Sequence, residues 1–137
     1  MRPMPLRILH IPADAPLSSP QKLGPYEIES LIPLPDEGAG TAYRVRIEPN
    51  STTSISYHKL AEELYYVLSG CGVAILNGGH HPLRTGDFLR LPPGTTHGFI
   101  TQEEPLLMLD IHTPGSRPDR DVYFVGEVPP GFQVEDD

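Results

Sequence analysis

The clearest alternation in the chain runs through residues 42–47, where Tyr43, Val45 and Ile47 fall on one side and Ala42, Arg44 and Arg46 on the other. A period of two marks a half-buried strand, and Pro49-Asn50 supplies the turn that ends it. Residues 63–68 are rich in β-formers, Gly70 and Gly72 predict a break before a second strand over 73–76, and Asn77-Gly78-Gly79 predicts a tight hairpin. Further strands are predicted over 88–91, 97–101, 106–112 and 122–125, separated by turns such as Pro92-Pro93-Gly94. In the 106–112 segment Leu107, Leu109 and Ile111 mark the expected core face, which puts His112 on the other side. Short segments at this spacing, with almost no room for helices, predict an all-β sandwich or barrel.

The ends read differently. Residues 1–22 hold Pro3, Pro5, Pro12, Pro16 and Pro20 and predict an extended Pro-rich N-terminal arm. Residues 23–115 are predicted as the barrel. Residues 116–137 are predicted as a C-terminal segment packing on it and ending in an acidic tail, Glu135-Asp136-Asp137. With 10 Lys and Arg against 18 Asp and Glu, the formal charge is −8, the wrong sign for binding a phosphate backbone, so a nucleic-acid role is not expected. Apolar runs are too short to span a membrane, and His10 and Pro12 interrupt the N-terminal run too early for a secretion signal. The single Cys71, read as a small residue in a hairpin turn, can form no internal disulfide, which fits a cytoplasmic location.

The candidate chemistry lies in His58, Glu63 and His97, the imidazole and carboxylate types that bind a borderline divalent metal. They stand in two frames: His58-x4-Glu63-x6-Gly70, and Gly86-x5-Pro92-x-Gly94-x2-His97 with Thr101 four residues on. At these residues the chain resembles the cupin superfamily, whose motifs are G-x5-H-x-H-x3,4-E-x6-G and G-x5-P-x-G-x2-H-x3-N. The resemblance covers about residues 42–113 and departs from the pattern in three places. The opening glycine falls at Asn50 or Ser51, the first histidine at Ser56, and the closing asparagine at Thr101.

The resemblance implies a double-stranded β-helix, or jelly-roll barrel, and a metal site of His58, Glu63 and His97 in its lumen. Two imidazoles and one carboxylate suit Fe, and also Mn, Ni or Zn. Ser56 is a weak donor, so water, substrate or another side chain takes the fourth place. His112 is one candidate for it. Tyr65 shares a strand face with Glu63 and is the expected catalytic hydrogen-bonding group, unless it is a packed barrel tyrosine. Arg44 and Arg46 can clamp a carboxylate only if their face is the lumen, and they read instead as a solvated exterior, as do His80, His81 and Glu62.

Three functions fit. The first is a metal-dependent enzyme of isomerase, dioxygenase, decarboxylase or lyase type acting on a small polar metabolite. The second is a non-catalytic small-molecule or sugar-binding cupin with a weakened metal site, and the third is an assembly role for the arm. The resemblance also implies a homodimer.

Overall fold

In the computed structural model, which describes residues 6–15 and 20–132, the chain is built from ten strands. They are β1 (Gln21–Leu23), β2 (Tyr26–Ser30), β3 (Thr41–Ile47), β4 (Ile55–Tyr57), β5 (Glu62–Leu76), β6 (Gly79–Arg84), β7 (Phe88–Leu91), β8 (His97–Ile100), β9 (Leu106–Thr113) and β10 (Tyr123–Val125). One 3-10 turn, Leu34–Asp36, is the only helical element among the described residues. The strands pair in the order β1-β2-β3-β9-β5-β8-β4-β10, with β6 and β7 also on β5. β5 is long enough to pair with four strands: its first half lies against β9 and β7, its second against β6 and β8. The result is the predicted all-β jelly roll. Residues 1–5 and 16–19 of the predicted arm, and the acidic tail over 133–137, lie outside the described residues. No helix among the described residues is long and apolar enough to cross a membrane.

The alternation in β3 holds. Tyr43, Val45 and Ile47 are buried, while Arg44 and Arg46 face outward and pair with Glu29 and Glu27 of β2. Val67, Ala74, Leu91, Phe99, Leu106 and Met108 complete the core from the other strands. Each of these Val, Leu, Phe and Met side chains contributes roughly 1.5–3 kcal/mol by leaving water, and Ala74 less. Asn77 and Gly78, at φ 48° and 84°, form the predicted hairpin between β5 and β6.

Two local expectations are corrected. No break occurs at Gly70 and Gly72: β5 runs through both, and the irregularity is a register shift between Val67 and Ser69. Gly70 has φ 84°, and a Cβ there would run into the Pro105 carbonyl, so the glycine permits a close approach of two strands instead of a turn. Cys71 is accordingly an exposed strand residue opposite Arg84, not a turn residue.

The second correction changes the site. In β9 it is Leu106, Met108, Asp110 and His112 that point inward, and Leu107, Leu109 and Ile111 that point toward the outside. β9 is apolar on both faces, so alternation alone does not choose between them. The choice is made by the ladder with β3, where Ile47 opposes Leu106 and Val45 opposes Met108.

Candidate metal centre

The two motifs meet at one end of the barrel. His58 follows β4, Glu63 is the second residue of β5, His97 opens β8 and His112 lies near the end of β9. Gly94, at φ 86°, donates its N–H to the His58 carbonyl at 2.7 Å, which ties the turn before His97 to the strand end that carries His58. Thr101, in the asparagine place, anchors a different turn: its N–H donates to the Ser51 carbonyl, and its hydroxyl accepts from the Ser51 N–H and donates to the Glu48 carbonyl. That substitution leaves the chemistry untouched.

Glu63, 2% exposed, sits at the centre. Its Oε1 is 3.3 Å from His58 Nε2 and 3.1 Å from His97 Nε2, and its Oε2 is 2.8 Å from His112 Nε2. The sequence-predicted ligands His58, Glu63 and His97 therefore come together, with one donor atom each within 4.8 Å of the others. Asp110 and His112 form a second group on the Oε2 side of the same carboxylate. His112, expected outside the core, is buried within it, its ring centroid 4.6 Å from that of His58. The signal in the sequence was the polar pair Asp110 and His112 two residues apart on the Leu106 and Met108 face. Ser56 lines the same cavity, opposite His97 in the ladder.

The imidazoles are oriented from behind. His58 Nδ1 lies 2.6 Å from the Asp121 carbonyl and 3.2 Å from Ser116 Oγ, and His97 Nδ1 lies 3.2 Å from the Thr95 carbonyl. A carbonyl only accepts, so in each ring the proton belongs on Nδ1 and the neutral Nε2 presents a lone pair toward Glu63. Glu63 Oε1 correspondingly has no hydrogen-bond partner although it is fully buried. Three electron-pair donors converging on one buried point without a proton between them fit a divalent cation, and an unpartnered carboxylate oxygen in this place is otherwise costly.

The electrostatics follow. Burial raises the Glu63 carboxyl, but the proximity of His112 and His97, and then of His58, outweighs it and holds the group well below the usual carboxylate range. For His58, burial works downward and is overcome by Glu63 and by the Asp121 carbonyl, so its pKa is raised. Asp110 is pushed well above its ordinary value by burial first and then by the charge of Glu63. Burial, with Asp110 and Glu63 nearby, also raises Tyr65, which remains a neutral phenol with its ring centroid 6.3 Å from that of His97. His80 and His81 are exposed on β6, away from this cluster.

Asp121 was missed in the sequence because residues 116–121 show no periodicity. Besides holding His58 through its carbonyl, its carboxylate accepts the N–H groups of Lys59, Leu60 and Ala61, which shapes the bend between His58 and Glu63. Its φ is 60°, a conformation that aspartate tolerates better than most residues. Asp121→Ala is expected to lose roughly 2–3 kcal/mol in urea unfolding, the worth of a buried carboxylate's hydrogen bonds. Asp121→Asn is expected to recover part of it, and an alanine variant as stable as the wild type would contradict this role.

The family model described as "Cupin domain" matches residues 43–112. The chain belongs to the cupin family. No curated protein sequence matches it. Among solved structures, this cupin is similar to a Streptomyces PAC13 variant with uridine, at TM-score 0.69 and 19% identity over 82% of this chain and 92% of that one. It is also similar to KdgF from Halomonas sp., at TM-score 0.63 and 20% identity over 73% and 88%. A third is a sugar phosphate isomerase of the cupin superfamily from Silicibacter pomeroyi, at TM-score 0.63 and 23% identity over 77% and 68%. At these identities the likeness is one of fold.

Proposed function

We propose that this cupin is an enzyme that uses a divalent metal ion, held by His58, Glu63 and His97, to act on a small metabolite inside the barrel. The observation that carries the reading is the unpartnered Glu63 Oε1, facing two imidazole nitrogens whose protons are held on the far side of each ring. The site opens on a cavity that holds about 580 Å3 of space between atoms, open solvent at its mouth included. A bound divalent ion there supplies Lewis acidity to a carbonyl or enolate oxygen. Ligand type permits Fe, Mn, Ni or Zn. Tyr65, neutral and beside Glu63, donates a hydrogen bond to a substrate oxygen. His112 holds the Oε2 side of Glu63, so that Oε1 stays turned to the metal. Similar folds include a protein described as a nucleoside dehydratase and one described as a sugar phosphate isomerase, which supports an enzymatic reading without choosing the reaction.

The test is calorimetric titration of chelator-stripped protein with Zn2+ and with Mn2+. Because Glu63 and the Asp121 carbonyl raise His58 above its ordinary value, this imidazole holds a proton to higher pH in the metal-free protein than a free histidine does, and the proton must leave for a metal to bind. Affinity is expected to weaken by about tenfold or more from pH 8 to pH 6. Absence of binding at either pH favours a second reading, a metal-free binding module, which Ser56 in a ligand place supports.

A homodimer is proposed on a separate observation. The outer face of the β5, β7 and β9 ladder exposes Tyr66, Leu68 and Phe88, with Tyr66 opposite both Phe88 and Leu109. An apolar ladder of this kind is a natural contact for a second copy. Sedimentation is expected to show a dimer at micromolar concentration that Phe88→Asp shifts to monomer, and a wild-type monomer would refute it.

A further inference from the structure

Arg44 and Arg46 face outward, yet the cavity does have an arginine. Arg117, from the segment after β9, is the one lysine or arginine among the described residues that line it. Its side chain is 16% exposed, and its Nε donates to Glu37 Oε1 at 2.8 Å. Glu37 is shared: Arg120 Nη2 contacts both of its oxygens at 2.7 Å. Two guanidinium groups thus meet a single carboxylate. Asp119, the other nearby acid, exerts its charge on Arg120. Arg117 Nη2 has a single weak partner, the Ile32 carbonyl at 3.4 Å. A guanidinium does not give up its proton, and Arg117 Nη2 keeps donor capacity that Glu37 does not use.

The surroundings of this charge are apolar. Pro118, Val122, Phe124 and Phe132 line the same cavity, the two phenyl rings packed edge to face at 5.0 Å. Tyr43, whose hydroxyl donates to the Ser116 carbonyl at 2.7 Å, also lines the cavity, and its ring lies 5.8 Å from that of His112. The cavity therefore offers a cation held by Glu37, apolar side chains and the histidine and carboxylate cluster.

We propose that Arg117 is an oxyanion subsite, and that the metabolite held here is a small organic carboxylate or phosphate ester with an apolar or planar body. A neutral sugar or nucleoside would bring no charge to Arg117 Nη2, whose hydrogen bond is the long one to the Ile32 carbonyl. The inference deepens the reading of this cavity as the metabolite site and does not require the metal to be bound. Carboxylate and phosphate both suit a guanidinium fork, which takes either through paired N–H donors.

Three probes with one phenyl ring separate the alternatives: benzoate, phenyl phosphate and benzyl alcohol, each titrated into the isotopically labelled full chain by NMR. The metal-loaded and the chelator-stripped protein are both tested. At least one oxyanion is expected to bind roughly tenfold or more tightly than the alcohol in both states, and the better of the two identifies the group. Arg117→Gln is expected to erase the preference at unchanged metal content, and Arg117→Lys to restore part of it. Arg120→Gln, which removes the other guanidinium from Glu37, is the control for a merely structural effect and is expected to keep the preference. Equal affinity for anion and alcohol, absence of binding by every probe, or a preference that survives Arg117→Gln would each overturn the proposal. An Arg117-dependent preference in a protein that takes up no metal would leave the subsite standing and refute the metal reading alone.

Discussion

Glu63→Gln is expected to lose at least about a hundredfold in metal affinity while the barrel stays folded. The side chain keeps its shape, so packing at this fully buried position is preserved. What changes is the donor set. The amide has no negative charge, and its NH2 group, turned toward either neighbour, replaces an electron-pair donor by a proton donor. Loss of a mere supporting partner of a metal ligand typically costs 10–100-fold, and loss of a ligand should exceed that. The same change removes the larger of the two causes that raise His58 and leaves Asp121 alone to oppose burial, which lowers a histidine. Calorimetry checks the affinity and far-UV circular dichroism the fold. Retained affinity in Glu63→Gln would mean that the histidines bind without the carboxylate.

Asp110→Asn is expected to stabilise the metal-free protein at neutral pH. Asp110 is buried beside Glu63, and its Oδ1 has no hydrogen-bond partner. Burial and then the Glu63 charge push its carboxyl well above the ordinary 3.8. The folded state therefore binds a proton that the unfolded state releases above 3.8. Stability falls as pH rises through the interval between the two values, the reverse of a salt-bridged aspartate. Asparagine does not titrate and can donate to Glu63 at any pH. The wild type and the variant should unfold alike below pH 4. The variant should gain roughly 1–3 kcal/mol by pH 8, the cost of an uncompensated buried polar group. Thermal unfolding in excess chelator across that range measures the gap, and a variant less stable at pH 8 would contradict it.

Much of the barrel was legible in the sequence because β3 separates its faces cleanly, and because Asn77-Gly78 permits few backbone shapes. The positions of His58, Glu63 and His97 were legible through their fixed distances to Gly70, which a close strand approach requires, and to Pro92 and Gly94 in the turn before His97. β9 was not legible. It carries apolar residues on both faces, and the register that places Asp110 and His112 inside is set by β3 and β5, strands distant in sequence. Residues 116–121 were opaque for a different reason: Ser116, Arg117 and Asp121 act through carbonyls, a shared carboxylate and a left-handed turn, none of which leaves a period. Ser56 looked like a lost ligand, whereas the cavity shows a third imidazole, His112, brought to the far side of Glu63.

The central claim is tested most directly by elemental mass spectrometry of untagged protein purified without chelator, with His58→Ala alongside. The account predicts close to one Fe, Mn, Ni or Zn per chain in the wild type and none in the variant, with both proteins folded. Wild-type protein that is metal-free and cannot be reconstituted, or a His58→Ala variant that keeps its metal, would contradict it.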